Sequence, residues 1–231
     1  MKNLLILFVS AILLSSCANI TGSGNIVTEN RHTDSFTGVQ VGGGFDVEIK
    51  KGATTALIVE ADDNLIKNIE TDVRNGVLHI RIEKNSLTNA HLKIYITAPS
   101  INSINASAGA EVEVKDQLAD ASEIKLDASS GSKITSTVDA PSISTNTSSA
   151  GEVTLKGRTK NFNAESSSGA SVNASDLLTE NAVVSVSSGA NAHVQSSVSL
   201  NASASSGGSV NYKGGGTVTQ NVSSGGSVSK E

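Results

Sequence analysis

Tryptophan is absent from this chain, cysteine occurs once, proline twice, and aromatic residues make up only 3% of 231 positions. Each shortage excludes something. A lone cysteine, Cys17, rules out an intrachain disulfide, so packing and backbone hydrogen bonds must hold the fold. Large aromatic side chains normally dominate a compact core. Beyond residue 17 this chain offers only Phe36, Phe45, Tyr95, Phe162 and Tyr212. The expected core is therefore thin and lined by small and β-branched residues. Pro99 and Pro141 are the only prolines, which lets strands run with little interruption. Charged residues are 17%, below the usual quarter or so, and the surface is built instead from Ser, Thr, Asn and Gly. The net charge of −5, or −6 without Lys2, disfavours nucleic acid or an anionic membrane surface as partner.

What is present begins with an apolar run from Leu4 to Leu14, broken only by Ser10 and preceded by Lys2. It is too short for a membrane span of roughly 20 residues and suits the core of a signal peptide. The run ends in Leu14-Ser15-Ser16-Cys17. This resembles the lipobox of bacterial lipoproteins, in which two small residues fit a narrow peptidase site and the thiol carries the diacylglycerol. Cys17 is thus the expected lipidation site, residues 1–16 the expected signal peptide, and residues 17–24 a short flexible tether. Each buried CH₂ of an acyl chain contributes about 0.8 kcal/mol to anchoring. No second long apolar stretch follows, so lipid on Cys17 is the expected membrane attachment. By analogy with lipoprotein sorting signals, Ala18 suits the outer membrane of a Gram-negative bacterium. The absence of an acidic cluster after Cys17 gives no support for display on its outer face.

Residues 25–231 read as a single all-β domain, a β-solenoid or β-helix-like repeat with a hairpin-rich section over 25–100. Val39, Val41, Phe45, Val47 and Ile49 mostly keep one parity, the period-2 signal of a half-buried strand. Gly42-Gly43-Gly44 interrupts them as a bulge or turn. Leu57 to Ala61 reads as a strand, and Asp62 to Lys67 as a single helical turn. Asn75-Gly76 between Ile69–Val73 and Val77–Ile82 is a hairpin signal, because both residues accept φ > 0. Leu92, Ile94 and Ile96 alternate towards Pro99.

From Ile101 a short phrase recurs, as in Ser129-Ser130-Gly131-Ser132, Ser167-Ser168-Gly169-Ala170 and Ser205-Ser206-Gly207-Gly208. Its third positions are 109, 131, 150, 169, 189, 207 and 225, giving steps of 22, 19, 19, 20, 18 and 18. A near-constant period of this size marks a repeat architecture. Each phrase follows a short alternating strand such as Ile124/Leu126/Ala128 or Leu200/Ala202/Ala204. One such unit cannot bury its apolar face alone. Stacking units at about 4.8 Å buries it, and seven turns make a segment of about 34 Å. A flexible Ser-Gly linker would have no reason to keep apolar residues in register.

Gly44-Phe45-Asp46-Val47-Glu48-Ile49, Glu60-Ala61-Asp62-Asp63-Asn64-Leu65, Asn75-Gly76-Val77-Leu78 and the Ser-Ser-Gly repeats occur in that order. Together they resemble the autotransporter adhesin head GIN domain family over most of residues 33–228. The resemblance implies a right-handed β-helix-like fold, often on lipoproteins of Gram-negative bacteria. It implies no catalytic residues.

Residue by residue, chemistry is sparse. His32, His79, His91 and His193 form no metal motif, and His79 and His91 read as surface or edge residues of strands. Asp62-Asp63-Asn64 lacks the spaced ligands and glycine of a Ca²⁺ loop, so a turn or cap role is expected. Glycoside hydrolysis needs two carboxylates flanking one bond. Glu111, Glu113, Asp116, Glu123 and Asp127 are the densest acids of the repeats and read as an exposed face. No nucleophile elbow or phosphate loop appears. The expectation is a non-catalytic, lipid-anchored envelope protein without cofactor or metal. It would serve as an adhesion or interaction module with a glycan or envelope protein as candidate ligand. A structural spacer is the alternative, and a polysaccharide-degrading β-helix the third reading.

Overall fold

The computed structural model describes residues 19–83 and 86–231, so Cys17 and the apolar run lie outside the described residues. Within them the chain is strands joined by tight turns, with one 3₁₀ turn at Ile66–Asn68. That turn falls where the sequence predicts a helical turn, shifted towards its C-terminal end.

Two ladders of strands are built as the chain passes alternately between them. In the first, Ile69–Arg74 pairs antiparallel with Val77–Ile82. Parallel pairing then runs through Gly38–Gly42, Ser103–Ser107 and Glu123–Ser129. It continues through the second halves of three long strands, Lys133–Ser148, Glu152–Ser166 and Ser171–Val186, to Ser199–Ala204 and Thr217–Val222. The second ladder opens with antiparallel Ile26–Arg31, Ala56–Asp62 and Leu92–Ala98. It then runs parallel through Asp46–Lys51, Glu111–Ala119 and the first halves of the same long strands. Asn191–Gln195, Ser209–Lys213 and Ser227–Lys230 complete it. This is the β-solenoid that the repeat spacing predicts.

The recurring phrase forms the corners between the ladders. In all seven, the two central residues have positive φ, as in Ser130 (53°) with Gly131 (72°) and Ser206 (50°) with Gly207 (74°). The fourth residue's N–H donates to the first residue's carbonyl, for example Ser132 to Ser129 at 3.2 Å and Gly208 to Ser205 at 2.8 Å. These are the features of a type I′ turn, whose twist matches that of the flanking strands. Corners also bond to one another along the axis. The Gly109 N–H donates to the Ser130 carbonyl at 3.0 Å, and the pattern repeats as far as Gly207 to Ser224 at 3.2 Å. At Ala150 a Cβ-bearing residue takes the place glycine holds elsewhere, with φ 61°. Such a conformation costs roughly 1–2 kcal/mol. Glycine is displaced to Gly151, where a Cβ would lie 2.2 Å from the Ala128 carbonyl oxygen.

The core is the strip between the ladders. In the second ladder the inward column Val47, Val112, Ile134, Val153, Val172, Ala192 and Val210 is buried throughout. Each valine or isoleucine so buried contributes about 1.5–3 kcal/mol. The opposing column Ile104, Leu126, Thr145, Ala164, Val184 and Ala202 becomes smaller after Leu126. The strip is narrow enough that three phenylalanines, Phe36, Phe45 and Phe162, are the only aromatic side chains buried among the described residues.

The two ends differ. At the N-terminal end the outermost strands of both ladders are tied together by Arg31. Its guanidinium donates to the carbonyls of Ile66, at 2.8 Å, and Ile69. At the C-terminal end Thr217–Val222 and Ser227–Lys230 each leave one edge free, and Val222 is 45% exposed.

Candidate functional site

At the N-terminal end the link between the ladders is not a two-residue corner. The chain leaves Val77–Ile82 at Ile82 and re-enters the second ladder at Leu92. Beneath this longer link lies a cleft of about 810 Å³. One wall is the outward side of two neighbouring strands, where Gln40 stands in register with His79. The glycine corner 42–44 and Ser107-Ala108 of the next corner form the base, and Leu87, Asn89 and Ala90 close the far side. Gly43 and Gly44 adopt φ of 103° and 75°, so the interruption read as a bulge or turn is a solenoid corner.

The cleft's polar groups are amides, an imidazole, a hydroxyl and one guanidinium. That guanidinium, on Arg81, already faces Glu70 and Asp72 across the hairpin, with Nη1 3.5 Å from Asp72 Oδ1. Among the described lining residues there is no carboxylate. The arrangement can donate and accept hydrogen bonds beside the partly exposed aliphatic side chains of Ile82 and Leu87. It offers no acid–base pair. A second, shallower groove of about 580 Å³ runs by Pro141, Arg158, Lys160 and Leu178 at the opposite edge of the solenoid. There Arg158 donates to Asp139 through Nε and Nη2 at 3.0 and 2.7 Å, and this holds the Asp139 carboxyl below the usual range.

The residues singled out by sequence fall in separate places. Among the histidines, His79 lines the cleft, His91 Nε2 lies 2.8 Å from Glu60, and His193 Nδ1 lies 2.7 Å from Glu231. Among the described residues no three potential metal ligands come together. The acidic stretch is divided between the ladders. Glu113 pairs with Lys115, and Asp116 accepts the Lys51 N–H at 2.9 Å. Glu123 pairs with Lys125 at 3.3 Å and Asp127 accepts from Asn146 at 2.9 Å on the other ladder. Asp120, between them, is held below the ordinary carboxylate range by the backbone N–H and then the hydroxyl of Ser122. These groups face no common cleft.

Asp62-Asp63-Asn64 has a role that sequence reasoning reached only in outline. Asp62 is 1% exposed and accepts the N–H groups of Gly24 and His91, each at 2.7 Å. Asp63 accepts from the Ser23 hydroxyl at 2.6 Å and the Asn25 amide at 2.8 Å, which lowers its pKa, Ser23 most. Asn64 accepts the Ser23 N–H at 3.1 Å and donates to the Thr21 carbonyl at 2.9 Å. The segment read as a flexible tether is therefore fixed over its latter part. Ile20–Thr21 is a strand paired in parallel with Leu87–Thr88.

Sequence reasoning named His79 and the triple glycine but did not join them, and it missed Gln40, Arg81 and Asn89. The available signal was the link from Ile82 to Leu92, much longer than the corners that follow.

Several solved structures share the fold. A "putative adhesin" from Bacteroides fragilis superposes with a TM-score of 0.82 at 19% identity, covering 91% of this chain and 98% of its own. A "putative lipid binding protein" from Parabacteroides distasonis gives 0.73 at 19% identity, covering 92% and 99%. A "putative adhesin" from Parabacteroides merdae gives 0.73 at 15% identity, again covering 92% and 99%. None of the curated proteins matches the chain. Residues 35–216 match the family model described as "Putative auto-transporter adhesin, head GIN domain", and the chain belongs to that family.

Proposed function

We propose that this protein is a non-catalytic, lipid-anchored interaction module of the cell envelope, with the N-terminal cleft as its ligand site. The observation that carries the proposal is the chemistry of the cleft. It is the larger of the two concavities described above, its polar groups are amides, a hydroxyl and the His79 imidazole beside the neutralised Arg81, and its described lining contains no carboxylate. Such a site recognises a neutral, hydroxyl-rich ligand such as a glycan, or a polar protein segment, through paired donors and acceptors. The anchor rests on the lipobox-like Leu14-Ser15-Ser16-Cys17, and Ala18 after it points to outer-membrane delivery. The names of the structural relatives, adhesins and a lipid-binding protein, are compatible with a binding role.

The test is a glycan and envelope-protein binding array with residues 19–231, repeated with a Gln40→Ala, His79→Ala, Asn89→Ala variant. The expected result is a reproducible ligand whose affinity falls about tenfold or more in the variant, the loss of one or two hydrogen bonds. Binding that the variant leaves unchanged sinks the cleft assignment. Envelope crosslinks without any ligand favour a structural spacer. Polysaccharide cleavage by the purified domain overturns the non-catalytic reading. Protease shaving of intact cells determines which face of the membrane carries the domain.

A further inference from the structure

We propose that the N-terminal end of the solenoid rests directly on the lipid headgroups of the membrane that anchors it, rather than standing off on a tether. The inference rests on the reading of Cys17 as the lipidated residue.

Between Cys17 and the first fixed residues there is almost no free chain. Asn19 accepts a hydrogen bond from the Ser86 hydroxyl at 2.7 Å, and the Ile20 N–H donates to the Ser86 carbonyl at 3.0 Å. The Gly22 N–H donates to the Thr88 carbonyl at 3.0 Å, completing the short parallel pair. Gly22 is seated so tightly that a Cβ there would lie 2.5 Å from both the Asn89 carbonyl and the Asp62 carboxylate. The buried Asp62 then fixes Gly24, so the chain has no slack up to the outermost strand, Ile26–Arg31.

A fully extended chain spans about 3.3–3.6 Å per residue. From Cys17 to Ile20 that is at most about 11 Å, whereas a free tether to Gly24 would reach about 25 Å. The headgroup layer is itself roughly 5–8 Å deep on each side of the hydrocarbon. With the glyceryl group at the hydrocarbon boundary, Ile20 and its partner Leu87 lie at or just above the headgroups. The same end carries Ile26, 43% exposed on the outermost strand. The free C-terminal edge then points away from the bilayer.

The chain has a single cysteine, whose thiol the lipid occupies, so one introduced cysteine can be labelled selectively. Full-length lipidated protein carrying Thr88→Cys or Ser224→Cys would be labelled with an environment-sensitive fluorophore. It would be reconstituted into phosphatidylcholine vesicles containing a headgroup-linked quencher. The corner at Ser224 lies roughly 35–40 Å along the axis from the Thr88 link, from the strand spacing. The expected result is about threefold or greater quenching at Thr88 with none at Ser224, lost when ten Gly-Ser residues are inserted between Ala18 and Asn19. Equal quenching at both sites, or none at Thr88, in protein whose mass shows lipid on Cys17 overturns the proposal. A mass without lipid overturns the anchor reading itself, and this inference with it.

Discussion

Thr145 shows how a single buried atom can be read from its neighbours. It lies on the inward column between Leu126 and Ala164, is fully buried, and its hydroxyl has no hydrogen-bond partner. Two residues on, towards the corner, the Thr147 hydroxyl donates to the Ser166 hydroxyl at 2.8 Å. The same residue type is thus costly at one site and satisfied at the other. An unmet buried hydroxyl costs about 1–3 kcal/mol. Thr145→Val should raise stability by about 1–2 kcal/mol, read as a higher urea midpoint with an unchanged slope, while Thr147→Val should lower it by leaving Ser166 unpaired. A lower midpoint for Thr145→Val would contradict this account.

At the scale of an element, the last strand adds one carboxylate tie to its backbone pairing with Ser209–Lys213. Glu231 bridges His193 at 2.7 Å and Lys213 at 3.2 Å, reaching back along the second ladder from beyond Ser227–Lys230. Its carboxyl is held below the ordinary value of 4.5, first by the hydrogen bond with His193 and next by that with Lys213. A pKa lowered by folding means that the contact favours the folded strand fully above the unfolded value. The contribution is lost as the pH falls through the lowered folded value. Hydrogen exchange of the Ser227–Lys230 amides, corrected for intrinsic rates, should therefore show more frequent opening at pH 3 than at pH 6. Glu231→Gln should remove most of that difference. An equal pH response in the variant would place the cause elsewhere.

For the whole molecule, stacking makes stability a sum of neighbour contacts, and the two ends are finished differently. The N-terminal end is closed by antiparallel strands, the 3₁₀ turn and the Arg31 bridge. The C-terminal end leaves both ladders open and Val222 partly in water. Exchange protection should therefore fall along the axis. Amides of Thr217–Val222 should open about tenfold or more often than those of Lys133–Val138, whose strand is paired on both sides. Uniform protection from end to end would show that the solenoid opens only as a unit.

The repeat spacing by itself determined the stacked fold. A corner needing two positive-φ residues every 18–22 positions, with apolar residues kept in register between corners, has few other solutions. The strands, the Asn75-Gly76 hairpin and the thin core were legible for the same reason: each follows from local periodicity or turn chemistry. Non-local pairing was not legible. Gly38–Gly42 precedes Val77–Ile82 in sequence yet follows it in the stack, so the chain order of the first rungs is inverted. That inversion sets Gln40 beside His79 and creates the cleft. Likewise Asp62, Asp63 and Asn64 looked like an ordinary turn, because their partners at residues 21–25 and 91 are brought to them only by the fold. Local backbone preference fixed the elements; the pairing of distant strands decided where the cleft lies and how tightly the N-terminal segment is held.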